Sequence, residues 1–277
     1  RRKETEMDKN KAIKYVLENA RLLELAIYKY FFENQSNQAV IDELSKFQNA
    51  DGGFGNALEP DFFNPNSSPI ATNDAIITLY RVNALNKDSD IVKRIVSYLE
   101  SHNSFDEDKK RWLFAIDSNK DFPHAIWWEK KDDGISSFNP SISLASFLIC
   151  YGSRTPFYEE IVKDGFEYLA NAEKLSGDDL NCFLLAYELL RENKINDVVD
   201  LDLFKDLLCN AINNTICKDI EKYGVEYVPM PSSIFAGIYL DLVTPEIKPL
   251  IIAEKDVLGK LQMDDGGFDI TWKWYTP

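Results

Sequence analysis

The chain has 277 residues, of which 45% are hydrophobic and 13% aromatic, a composition that excludes a disordered or fibrous protein. Asp and Glu outnumber Lys and Arg by 46 to 31, which gives a formal net charge of −15. Because such a surface repels phosphate backbones, we expect no nucleic-acid partner. The four cysteines lack the spacing of a disulfide framework or a zinc site, and neither a secretion signal nor a membrane span is apparent. We expect an acidic, cytoplasmic protein without a cofactor.

Residues 1–6 have the character of a leader or an added remnant, so we expect a single domain over residues 7–277. From there the apolar periodicity predicts five pairs of helices, each a buried inner helix followed by an amphipathic outer one. The inner helices are predicted at Arg21–Phe32, Ile70–Leu85, Ile142–Tyr151, Leu180–Leu190 and Ile234–Leu242. The outer helices are predicted at Val40–Phe47, Ile91–Leu99, Tyr158–Ala170, Leu201–Ile212 and Leu250–Leu261. Short extended pieces are expected at Trp112–Ile116 and Val225–Val228, the first within a long connection, Asn103–Asn139.

One motif occurs twice, at the ends of the first and last outer helices. Leu44–Phe54 and Leu258–Phe268 are identical at seven of eleven positions and share the pattern Gln-x-x-Asp-Gly-Gly-Phe. Paired glycines let a chain leave a helix through positive φ, and the Asp can accept hydrogen bonds from turn amides. We interpret each unit, Gln48–Phe54 and Gln262–Phe268, as a clasp that closes a helix end.

The clasps resemble the QW-type repeats of the terpenoid cyclase and protein prenyltransferase superfamily. With Phe in place of Trp they look closer to the prenyltransferase β-subunit form. The resemblance implies an all-α fold, an α-α toroid of about five to six helical hairpins, in which inner helices line a central cavity and outer helices form the shell. It also implies an isoprenoid-type substrate.

The catalytic signatures of that superfamily are missing from this sequence. The cyclase Asp-x-Asp-Asp cluster is approached only by Asp106–Lys109, which ends in Lys. The prenyltransferase zinc pattern would need an Asp-x-Cys pair and a later His, but Asp179 and Cys182 have the wrong spacing and no His follows them. We therefore expect no metal site.

Two segments carry candidate functional residues. Glu59 and Asp61 lie on a proline-stiffened turn, and Asp74 lies further along, inside the next helix. Paired carboxyl groups in different environments are typical of acid/base catalysis, although they could also cap the helix and solvate the loop. In the long connection, His124 precedes two tryptophans and Glu129, a combination that can bind sugars or flat apolar ligands, or can pack the loop onto the shell.

Prolines open several inner helices, so the loops that enter them should converge on one face of the fold and form one pocket. The predicted catalytic residues are Glu59, Asp61 and His124, and the predicted substrate-binding residues are Asp74, Trp127, Trp128, Glu129 and Asn139. One of Glu59 and Asp61 should donate a proton while the other is ionised. We expect an enzyme acting on a small molecule, an isoprenoid or a carbohydrate. The alternatives are a carbohydrate hydrolase or lyase on an α-α toroid, and a non-catalytic binding or scaffold protein.

Overall fold

The structure, a computed structural model, describes residues 7–235 and 237–272. Its described part is helical apart from one two-stranded antiparallel ribbon, β1 (Phe105–Asp106) with β2 (Arg111–Trp112), which confirms the all-α class. The α-helices are α1 (Lys9–Asn19), α2 (Leu22–Glu33), α3 (Gln38–Leu44), α4 (Pro69–Arg81), α5 (Asp90–Glu100), α6 (Ser141–Tyr151), α7 (Pro156–Asn171), α8 (Gly177–Glu192), α9 (Leu201–Thr215), α10 (Pro231–Ile234) and α11 (Lys248–Leu261). Short 3₁₀ helices occupy Ser45–Phe47, Asp117–Asp121, Ile126–Trp128, Ile220–Lys222 and Leu240–Leu242. Across the described residues, each helix is too short or too polar to span a bilayer.

Helices α4 to α9 alternate between buried and amphipathic, as predicted. All residues of α6 except the last are buried, and α8 is buried on most sides. By contrast, α5, α7 and α9 each bury one face. Helices α6 and α8 pack against each other, and each also packs against the helix that follows it. This arrangement places α6 and α8 inside and α7 and α9 outside.

The start of α4 follows from its local sequence. Ser68 Oγ accepts a hydrogen bond from the Ala71 amide (3.1 Å), and Pro69 occupies the first helical position. Ser176 caps α8 in the same way, accepting from the Asp179 amide at 3.0 Å. Such caps stabilise a helix by about 1 kcal/mol and fix where its first turn lies. They therefore fix which side chains α4 and α8 present near their N-termini.

The predicted inner helix Ile234–Leu242 is wrong over most of its length. Of the described residues in this range, only Ile234, the last residue of α10, is α-helical, and Leu240–Leu242 forms a 3₁₀ turn, because Gly237 has a φ of +85° and Tyr239 a φ of +56°. Neither value continues a right-handed helix. The predicted inner helix at α2 forms, but its only buried residues are Leu23 and Ala26.

Three further features differ from the sequence-based prediction. Helix α1 was not predicted; Asp8 begins it by accepting from the amides of Asn10 and Lys11. Of the extended piece expected at Trp112–Ile116, only Trp112 lies in a strand. This strand is β2, which pairs with β1 across a tight turn. The piece expected at Val225–Val228 forms no strand.

Both clasps have the predicted internal hydrogen bonds. Gln48 Nε2 donates to the Gly52 carbonyl (2.9 Å), and Gln262 Nε2 donates to the Gly266 carbonyl (3.1 Å). Asp51 and its counterpart in the second clasp accept from the amide two residues later, at 3.0 and 2.9 Å. The first glycine of each pair has a φ of +95°. The copies differ in the aromatic residue, because Phe54 is fully buried whereas the second Phe is exposed.

Each clasp also docks on the N-terminal half of another outer-type helix. Gln48 Nε2 donates to the Ile91 carbonyl at 3.1 Å, and Gln262 Nε2 donates to the Asp8 carbonyl at 3.0 Å. The first clasp contacts Ile91, Arg94 and Tyr98, and the second contacts Asp8, Lys11 and Tyr15. Because the two sets have the same spacing, the last clasp binds α1 in the register in which the first binds α5.

Candidate functional site

A cavity of about 620 Å³ lies beside the first turns of α4 and α8. It is lined by Glu59, Asp61, Ile70, Asn73, Asp74, Ile77, Phe114, Trp127, Trp128, Asn139, Asp178, Asn181, Cys182, Tyr227 and Trp272. The α4 residues recur at positions i, i+3, i+4 and i+7, and the α8 residues at i, i+3 and i+4, so each set lies on one helix face. Two capped helix starts and four further segments thus supply the walls: the loop with Glu59 and Asp61, the long connection, the segment with Tyr227 and the segment with Trp272.

Side-chain amides and a thiol form a polar network on the inner-helix side of the cavity. Ser143 Oγ donates to Asn73 Oδ1 at 2.6 Å, and Cys182 Sγ donates to Asn139 Oδ1 at 3.4 Å. These contacts join α4, α6 and α8. They hold two amide side chains where a ligand in the cavity can reach them.

Backbone pairing brings the two predicted segments together. The Phe63 amide donates to the Pro123 carbonyl at 3.0 Å, and the Ala125 amide donates to the Asp61 carbonyl at 2.9 Å. This antiparallel contact carries Trp128 onto Phe62, with ring centroids 5.5 Å apart. The long connection therefore forms the cavity wall opposite the inner helices.

Asp61 is held by one of those tryptophans. Its side chain is buried, and its Oδ1 accepts a hydrogen bond of 2.6 Å from Trp128 Nε1. The indole of Trp128 has a single hydrogen-bond donor, its N–H group, and this hydrogen bond uses it. The bond therefore orients both groups at the cavity wall.

Glu59 and Asp74 form a carboxyl pair, with their side chains in hydrogen-bonding contact. Burial raises the pKa of Asp74 well above its ordinary value, and the charge of Glu59 raises it further. Burial also raises the pKa of Glu59, as does the charge of Asp61. Asp74 Oδ2 is buried and accepts from no donor among residues 7–235 and 237–272. One proton shared between the two carboxyl groups removes the repulsion of two adjacent charges.

The structure brings six of the eight predicted site residues to the cavity: Glu59, Asp61, Asp74, Trp127, Trp128 and Asn139. His124 and Glu129 are not among the lining residues; His124 Nδ1 donates to the Phe122 carbonyl at 2.7 Å, and Glu129 is exposed. The roles of all eight stay predictions. Glu59 interacts with Asp74, which was predicted only as a substrate-binding residue, and the charge of Asp61 acts on Glu59 as well.

Nine lining residues were not predicted as site residues: Ile70, Asn73, Ile77, Phe114, Asp178, Asn181, Cys182, Tyr227 and Trp272. Asp178, Asn181 and Cys182 repeat the spacing of the α4 face, and that repetition was the signal that could have found them. Tyr227 lies in a segment without a motif. Trp272 lies shortly after the second clasp, in a segment for which no functional role was predicted.

The residues present do not fit the superfamily's zinc site. Within the described ranges, no group of three or more His, Cys, Asp and Glu side chains is arranged to hold a metal ion. Burial raises the pKa of the Cys182 thiol, so this cysteine is protonated, whereas zinc binds a thiolate.

Titration of the carboxyl pair should be visible in stability. Burial raises the folded-state pKa values of Asp74 and Glu59. Their contribution to the free energy of unfolding is therefore complete below about pH 4, and it is lost as the pH rises through the folded-state pKa values. The free energy of unfolding of wild type relative to Asp74→Asn should therefore fall as the pH rises above about 4. Urea unfolding of both proteins across this range measures the difference. A difference that is flat with pH, or that rises, would contradict the shared proton.

Comparisons of the chain with protein-family models, with curated proteins and with solved structures find no match. A functional assignment therefore depends on the residues of the cavity.

Proposed function

We propose that this chain is an α-α toroid whose cavity binds a small molecule and carries out acid/base chemistry on it. Two observations support a closed ring. Helices α6 and α8 pack side by side, each against its own outer helix. The last clasp binds α1 through Gln262 and Asp8, 254 positions apart, so the end of the chain meets its beginning.

The observation that carries the proposed chemistry is the pairing of Glu59 with Asp74. A carboxyl group with a raised pKa can hold a proton near neutrality and donate it to a ligand atom. When the proton leaves, the Glu59–Asp74 pair carries the additional negative charge. Asp61 lies beside the pair, and its hydrogen bond with Trp128 fixes its orientation. General acid catalysis of this kind accelerates a reaction by about 10²- to 10⁴-fold.

A carbohydrate is the second candidate substrate, beside an isoprenoid. Trp127 is 41% exposed and lines the cavity, and an indole face packs well on a sugar ring. The amides of Asn73, Asn139 and Asn181 lie on the other side and can bond hydroxyl groups. An acidic cavity lined by Trp127 and Trp128 supports an enzyme over a scaffold protein.

The test is a turnover screen with two substrate classes, chromogenic glycosides and allylic prenyl diphosphates, run on wild type and on Glu59→Gln. We expect turnover in one class that is lost in the variant. Asp121→Asn is the matched control, because Asp121 is an exposed carboxyl group in the long connection and does not line the cavity. Turnover that survives in Glu59→Gln would overturn the assignment of this carboxyl pair.

A further inference from the structure

The charged side chains that line the cavity are acidic. Among residues 7–235 and 237–272, fifteen line the cavity; four of them, Glu59, Asp61, Asp74 and Asp178, carry carboxyl groups, and none of the fifteen is Lys, Arg or His. A diphosphate or another anion entering this space would meet like charges in a region partly shielded from water, where repulsion is strong. An anionic ligand is therefore disfavoured by the wall itself.

The basic residue that acts on the carboxyl pair lies outside the cavity. Arg21 lowers the pKa of Glu59, but its guanidinium donates to the Glu24 carboxylate and to the carbonyls of Ala57 and Leu58, at 2.7 and 3.1 Å. It thus braces the loop before Glu59 and does not line the cavity. The other charged groups acting on the pair are Asp61 and Asp178, and both are acidic.

Aromatic rings supply the rest of the attraction that a cation needs. Trp127, Trp128, Phe114, Tyr227 and Trp272 line the cavity, and the last two lie 5.5 Å apart in an edge-to-face arrangement. The faces of such rings attract cations, and groups of them bind quaternary ammonium ions. Asp74 Oδ2 is also buried without a donor from the described chain, so it can accept a cationic partner.

We propose that the ligand of this cavity carries a positively charged ammonium group, which lies between the Glu59 and Asp74 carboxyl groups and the exposed indole of Trp127. The inference rests on the proposed function, because it names the substrate class of the same cavity. The pair keeps its shared proton and carries one negative charge, which the ammonium group balances.

Choline and 3,3-dimethylbutan-1-ol provide the test, because they have the same shape and only choline is charged. Isothermal titration should show choline binding at least tenfold more tightly to the wild-type protein. The choline affinity should fall at low pH, where both carboxyl groups are protonated and the pair loses its negative charge. Equal affinities for the two probes, or choline affinity that is flat with pH, would overturn the proposal.

Two variants test whether choline binds at the Glu59–Asp74 carboxyl pair. Asp74→Asn should lose the preference for choline, and Asp121→Asn should keep it, with circular dichroism confirming that both are folded. Choline binding that persists in Asp74→Asn would contradict the placement. If glycoside turnover depends on Glu59 while choline neither binds nor inhibits, the proposed function stands and the cationic ligand is excluded. If choline binds with Asp74 dependence but no substrate turns over, the ammonium site stands and the acid/base function is overturned.

Discussion

Replacing Asp74 by Asn should lower kcat for a substrate found in the turnover screen by about 10²- to 10⁴-fold, because the shared proton is lost. The same change should leave the melting temperature at neutral pH unchanged or raise it. The Asn amide can donate to Glu59 in place of the proton, and it removes one buried group that repels its neighbour. Steady-state kinetics and thermal unfolding at one pH measure the two effects together.

Asp61→Asn separates this pair from its neighbour. The Asn Oδ1 atom can still accept from Trp128 Nε1, so orientation is kept while a charge is removed. We expect a smaller loss of kcat than for Asp74→Asn. A melting temperature that falls steeply in Asp74→Asn would instead mean that this carboxyl group is structural.

The largest loss of stability is expected for Gly52→Ala. Gly52 has a φ of +95°, which costs a residue with a side chain about 1–2 kcal/mol. The added Cβ would also clash with the carbonyl oxygen of Arg94 in α5, and relief of such overpacking costs about 1–3 kcal/mol. Together these effects predict about 2–5 kcal/mol lost from the free energy of unfolding, measured by urea denaturation.

Gly237→Ala is the matched control for this prediction. Gly237 has a similar φ of +85°, but a Cβ added there would meet no atom within 4 Å. The Gly237→Ala variant should therefore lose only the about 1–2 kcal/mol of unfolding free energy that positive φ costs, without the cost of a clash. Gly266→Ala should behave like Gly52→Ala, because its Cβ would clash with the Lys11 carbonyl oxygen in α1. If Gly266→Ala costs no more than Gly237→Ala, the clasp does not hold α1.

The local sequence accounts for much of what was predicted. Apolar periodicity located α4 to α9, and the Ser68–Pro69 pair located the start of α4, because both signals act over a few residues. The predicted helix Ile234–Leu242 failed for a local reason too. Its Gly237 adopts positive φ, and periodicity does not register that backbone choice.

The sequence by itself determined the helical class, the two clasps and the presence of candidate carboxyl groups and tryptophans in two segments. Only the tertiary structure decided that Glu59 pairs with Asp74, that Asp61 bonds Trp128, and that α8, Tyr227 and Trp272 complete the cavity. The reason is the range of the interactions. Helix periodicity and capping depend on neighbours within a turn or two, whereas Asp74 and Asp178 meet at one cavity only after α4 and α8, about a hundred residues apart, have packed into one core.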